Sequence, residues 1–132
     1  MIPFRPPFPP GLRLALGFLA LEISGGTSLL ARTPDAAEGK KVYATCIACH
    51  AVDKTNKLGP GLAGLMGRKV GTAEGFRYSR AMKKSVLIWD EKTLDAYLAN
   101  PQGTLPGSVM PFPGLPDAGQ RADLIAYLKT LQ

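Results

Sequence analysis

The chain is short of the residues that most often build sites and scaffolds. In 132 residues it has two cysteines, one histidine and one tryptophan. Two cysteines cannot make a disulfide framework. A bridge between Cys46 and Cys49 would close a tiny strained loop that constrains little of the unfolded chain. No second Cys/His pair exists, which argues against a structural zinc site with its four ligands. The apolar run Leu14 to Leu21, LALGFLAL, falls far short of the roughly 20 residues that a membrane span needs. Like charges are not run together. The formal charge of +6 is scattered along the chain, which speaks against a nucleic-acid tract and leaves an anionic membrane or an acidic protein as partner. No segment alternates convincingly as a strand does, so the expected architecture is all-α. At this length one domain is expected, and 15 glycines and 12 prolines imply many loops and a modest core.

What the chain does have, it concentrates. Both cysteines and the only histidine stand in Cys46-Ile47-Ala48-Cys49-His50. The spacing C-x-x-C-H is the attachment signature of a c-type haem. Thiols one helical turn apart can add to the two vinyl groups of one porphyrin, and the adjacent His is then held within reach of the iron. A thioredoxin-like dithiol would need strands alternating with helices around the motif, and none is evident. A covalent porphyrin would also supply the central apolar surface that a small, loop-rich domain lacks.

The first thirty-odd residues differ from the rest. Met1 to Arg13 is Pro-rich with Arg5 and Arg13, and the short apolar run follows. This reads as an export signal over 1–31, with a cut between about 31 and 37, and a functional domain over 36–132. Glu22 and the early prolines are atypical of such a signal. From Arg32 onward 14 basic residues face 9 acidic ones, a net charge of +5.

Within that domain Asp35 and Glu38 form a capping-box pattern at the start of a helix that runs toward Cys46. Ser79 is placed to cap a short helix over Arg80 to Lys84. Asp90 opens another, with Leu94, Tyr97 and Leu98 on one face, and Pro101 stops it. Gln102 to Pro116, with four prolines and three glycines, reads as loop. Asp117 and Gln120 open a last helix whose apolar face is Leu124, Ile125, Tyr127, Leu128 and Leu131. Loops this long are unusual unless a ligand organises them.

His50 fills one axial position of an iron. Met66, Met82, Met110, a lysine or water could fill the other. Met66 and Met82 read as core filler. Met110 stands in GSVMPFPG between Pro106 and Pro111, a stiff loop suited to presenting one side chain.

Several motifs in order, GKKVYATCIACH, LGPGLAGLMGRKVG, GFRYS, IWDEKTLDAYLANP, LPGSVMPFPG and RADLIAYLK, resemble the class I c-type cytochromes, the mitochondrial cytochrome c and bacterial periplasmic cytochrome c family. The resemblance covers roughly Ala36 to Leu131. It implies a small all-α cytochrome c fold of short helices and long loops around one covalent haem c. It implies thioethers at Cys46 and Cys49, and His50 and Met110 as axial ligands. The Pro60 carbonyl would accept the other ring N–H of His50. Arg68, Tyr78 and Trp89 would surround the inner haem propionate, which is costly to bury without donors. Tyr97 would lie beside the Met110 sulfur and Ser108 near the outer propionate. Gly39 and Tyr43 would cross the last helix at Leu124 and Tyr127.

The chain also departs from the mitochondrial pattern. The loop from His50 to Pro60 is shorter, Gly61 replaces an Asn, and Met82 stands where an Asn would be. Gln102, Gly103 and Val109 occupy positions of docking lysines, while Lys40, Lys41, Lys54, Lys57, Lys83 and Lys84 remain.

A six-coordinate haem has no open position for substrate, so the expected function is one-electron transfer and not catalysis. The resemblance implies a soluble, monomeric, periplasmic shuttle without a membrane span. It would dock transiently by charge with a quinol–cytochrome c reductase and with a terminal oxidase or photosynthetic reaction centre. Two alternatives share the motif: a ligand-sensing haem protein, in which Met110 would be off the iron, and a dedicated subunit or donor of one dehydrogenase.

Overall fold

The computed structural model describes residues 32–132; the export segment expected over 1–31 lies outside the described residues. Five helices follow in order: α1 (Ala36–Tyr43), α2 (Arg80–Lys84), α3 (Glu91–Ala99), α4 (Pro101–Thr104) and α5 (Ala118–Leu128). Long loops join α1 to α2 and α4 to α5. Among the described residues there is no strand, only an isolated antiparallel bridge between Lys69 and Ile88. The expected all-α fold is the observed one.

Four caps stand where the sequence puts them. Asp35 accepts from the backbone N–H groups of Ala37 and Glu38, Ser79 from Met82, Asp90 from Thr93 and Asp117 from Gln120. Each satisfies a donor that a helix start leaves open. The first capping box is only half made. Asp123 accepts the Asp35 N–H at 2.7 Å, and Glu38 pairs with Lys41 at 2.6 Å instead of reaching back.

One element was not expected. Asn100 is extended (φ −151°, ψ 90°), as a residue before proline prefers to be, so α3 ends. Pro101 then takes the first position of α4, where its missing N–H costs nothing. The Asn100 side chain caps this turn by accepting from the Gly103 N–H at 2.9 Å. The proline that stops one helix thus starts the next.

Helices α1 and α5 cross at Gly39. A Cβ on Gly39 would lie 1.9 Å from the Asp123 carbonyl oxygen, so only glycine permits this approach. Beyond the crossing, the Tyr43 and Tyr127 rings lie 5.4 Å apart at 51°. The core gathers Tyr43, Leu94, Leu98, Leu124, Ile125 and Leu128 from α1, α3 and α5, with Leu65, Val70 and Trp89 from the loops.

Candidate haem and electron-transfer site

The C-x-x-C-H segment continues from α1 as a tight helical turn. The Cys46 carbonyl accepts from the N–H of Cys49 at 3.0 Å and of His50 at 2.9 Å. Cys46 and Cys49 are free thiols, half-buried, and Cys46 packs against the core. Burial pushes the Cys46 thiol up, the Thr45 hydroxyl working against it. Among the described residues no three His, Cys, Asp or Glu side chains converge as a protein-only metal cage would require.

The His50 ring is fixed from several sides. Its Nδ1 lies 2.8 Å from the Pro60 carbonyl, the geometry expected of that pair, and a proton on Nδ1 leaves Nε2 as the free lone pair. Gly59 lies directly against the ring. A Cβ there would stand 2.3 Å from Cε1. The Gly59 N–H donates to the Cys49 carbonyl at 2.8 Å, and the Tyr43 hydroxyl donates to the His50 carbonyl at 2.6 Å. Neither Gly59 nor the Tyr43 hydroxyl was singled out from the sequence; the Gly-Pro pair at 59–60 was the available signal.

Arg68 is half-buried, and its Nη atoms donate to the carbonyls of Ala63 and Gly61, both at 3.2 Å. Its Nε is buried and has no partner. The Trp89 backbone N–H donates to the Arg68 carbonyl at 2.9 Å, so the bridge region brings Arg68 and Trp89 side by side along the chain. The Tyr78 hydroxyl accepts from the Ala73 N–H at 3.3 Å. Burial raises the Tyr78 phenol, and the Ala73 N–H and the Arg68 charge oppose that rise.

Trp89 meets Tyr97 edge to face, with centroids 5.0 Å apart. The Tyr97 hydroxyl pairs with Ser108 Oγ at 2.6 Å in a buried contact. The resemblance sends the Ser108 hydroxyl toward a propionate; the structure gives it Tyr97 as a partner. Met110 is half-buried and packs against the same core as Cys46. Met82 is a buried core residue, and Met66 is half-buried on the core's margin.

A family model for cytochrome c matches residues 36–132. The chain belongs to the cytochrome c family. A cytochrome c-type cyt cy of Rhodobacter capsulatus is 49% identical over 100 residues, 75% of this chain and 50% of that protein. The chain therefore spans about half the length of that relative. A cytochrome c2 iso-2 of Magnetospirillum fulvum is 48% identical over 72% of this chain and its own full length. The solved cytochrome cH from Methylobacterium extorquens superposes with a TM-score of 0.70, at 48% identity, over 73% of this chain and 98% of that one.

Cytochromes c carry a covalent haem c and move electrons, and this chain does the same. Its residues fit that group. The cysteines are free and one turn apart, glycine clears the space beside the imidazole, and a buried guanidinium nitrogen is left without a partner. That nitrogen suits a carboxylate such as a haem propionate.

Proposed function

We propose that this cytochrome c is a one-electron shuttle of the periplasm whose haem is ligated by His50 and Met110. When bound, the haem supplies the Fe(III)/Fe(II) couple, with a thioether ligand and an apolar surround raising its potential. The observation that carries the reading is His50, whose Nδ1 bond to Pro60 aims Nε2 as the ligand. Met110 supports it from a proline-braced loop on the core's edge. Cys46 and Cys49 hold the porphyrin by thioethers. Arg68, through its unpartnered Nε, would hold the inner propionate together with Tyr78 and Trp89. The Tyr97–Ser108 pair has two hydroxyl hydrogens and one shared bond, which leaves one hydrogen to offer outward.

Export rests on the N-terminal apolar segment. Arg32 and the Asp35 N–H both bind the buried Asp123, which favours a cut that retains Arg32. Among the described residues no helix is long and apolar enough to cross a membrane. The net charge suits transient docking to acidic faces of a quinol–cytochrome c reductase and of a terminal oxidase or photosynthetic reaction centre.

Optical spectra of oxidised and reduced holoprotein test the ligand set. Met110→Ala is expected to lose the thioether-to-iron(III) charge-transfer band and to lower the potential, while Met66→Leu and Met82→Leu keep both. Loss of the band in a Met82 variant instead would reassign the ligand. Carbon monoxide binding to the reduced wild type at neutral pH would favour a sensing protein.

A further inference from the structure

We propose that Gln102 is a positioning residue for the sixth ligand, its amide holding the loop that carries Met110. This rests on the reading of Met110 as that ligand. Gln102 stands in the unexpected one-turn helix α4, with its side chain reaching across to the loop that follows. Its Oε1 accepts from the Gly107 N–H at 3.3 Å, and its Nε2 donates to the Ser108 carbonyl at 2.5 Å. These groups belong to adjacent residues, three and two positions before Met110.

Apart from the packing of Met110 and Phe112 on the core, few other hydrogen bonds fasten this stretch. Pro106, Pro111 and Pro113 have no N–H. The Ser108 N–H goes to the Leu105 carbonyl and the Phe112 N–H to the Met110 carbonyl, both within the loop. Gly107 turns the chain at φ +86°, where a side chain is strained and a Cβ would also meet Ala81 at 2.8 Å. The hydrogen bonds from this turn to other elements are therefore the Tyr97 hydroxyl on Ser108 and the Gln102 amide. With both in place, the N–H, carbonyl and hydroxyl of Ser108 all have partners.

The chemistry is particular to an amide. Gln offers an acceptor and a donor on one planar group, whereas an ammonium only donates and a thioether side chain of the same length does neither usefully. Gln102 is exposed, so its substitution leaves the core unchanged. One intramolecular hydrogen bond typically shifts an equilibrium by about two- to tenfold, so loss of both is expected to raise the open population of the loop by about tenfold or more. An added ligand that binds only the open form gains apparent affinity in proportion to that population.

The test uses ferric holoprotein and imidazole at neutral pH, comparing wild type, Gln102→Met, Gln102→Lys and Met110→Ala. Gln102→Met is expected to bind imidazole about tenfold more tightly. It should lose the thioether band at a lower temperature than its helix signal, and exchange the Gly107 N–H faster. Gln102→Lys, which restores only the donor, should fall between it and wild type. Unchanged imidazole affinity and band in Gln102→Met, with the band absent in Met110→Ala, would overturn the role of Gln102 alone. A band that persists in Met110→Ala would overturn the ligand assignment and this proposal with it. Parallel loss of band and helix signal in Gln102→Met would make Gln102 a general stabiliser and sink the positioning role.

Discussion

Gly61 shows how a shorter loop dictates the residue next to it. A Cβ there would lie 2.4 Å from the Asp53 carbonyl oxygen and 2.5 Å from the Lys54 carbonyl carbon. The abbreviated loop after His50 folds back onto this position, and no side chain fits. Asn56 closes the same turn, accepting from the Gly61 N–H at 3.2 Å and donating to the Glu74 carbonyl at 2.9 Å. The departure seen in the sequence is therefore a packing consequence. Gly59 makes a sharper test. In Gly59→Ala the methyl would displace the imidazole, since Cε1 lies only 2.3 Å from the new carbon, and the ring could move only by giving up its 2.8 Å bond to Pro60. Overpacking of this kind costs about 1–3 kcal/mol. The expected outcome is a lower denaturant midpoint together with a shifted reduction potential, because the imidazole proposed as axial ligand has turned. An Ala variant with native midpoint and potential would show that the ring has room to spare.

At the scale of elements, the caps and faces of α1, α2, α3 and α5 were legible because they are local. An Asp or Ser before an apolar period needs nothing from the rest of the chain. What escaped was non-local. Helix α4 was missed because Pro101 reads first as a stop, and only the Asn100 cap makes it a start. Asp123 was missed because an acidic residue on a helix normally faces water, yet it is 3% exposed and binds Arg32 and the Asp35 N–H. Among the site residues, His50 with Pro60 was legible through the motif, while the Tyr97–Ser108 bond and the Gln102 amide required the fold. Two predictions belong here. Gly39→Ala gains about 0.8–1 kcal/mol in helix propensity. The new methyl nevertheless overlaps backbone at 1.9 Å, so steric exclusion wins and α1 is expected to part from α5. Thermal unfolding should move down by several degrees at least; an upward move would mean the helices do not touch there. For Asp123, the Asp35 N–H first and Arg32 second hold the carboxyl below its ordinary value. A depressed folded pKa contributes stability that is present above the ordinary carboxylate range, near about pH 4, and is lost as pH falls through the folded value. Asp123→Asn should therefore be less stable than wild type at neutral pH, and the gap should narrow as pH drops below 4. A gap independent of pH would deny the carboxylate its role.

Over the whole molecule, folding decides which of the basic residues are free to act in docking. The Lys57 ammonium donates to the Ile47 carbonyl inside the C-x-x-C-H turn, so reversing it would disturb the attachment segment as well as the field. Arg121 on α5 is likewise engaged. Its Nε pairs with Asp95 at 2.7 Å, and its Nη1 donates to the Leu115 and Pro116 carbonyls, at 2.9 and 2.8 Å, tying α3, α5 and the loop between them. Gln102 is engaged on its own loop and Val109 is 71% exposed but apolar, so neither position supplies a docking charge. Lys54, Lys83 and Lys84 are exposed and enter none of the ion pairs among the described residues, so they are the cleaner probes of steering. Exposed charges act over about 10 Å at 0.1 M salt, so attraction to an acidic partner is felt before contact and fades as salt rises. Electron-transfer rates to such a partner are expected to fall between low and physiological salt. Lys83→Glu with Lys84→Glu is expected to slow association severalfold, with the optical spectrum and unfolding temperature held at native values. Lys57→Glu should slow it too, but with a change in one of those structural readouts. Rates flat in salt and equal for all variants would mean that the basic residues only keep the protein in solution and that docking is governed by apolar contacts.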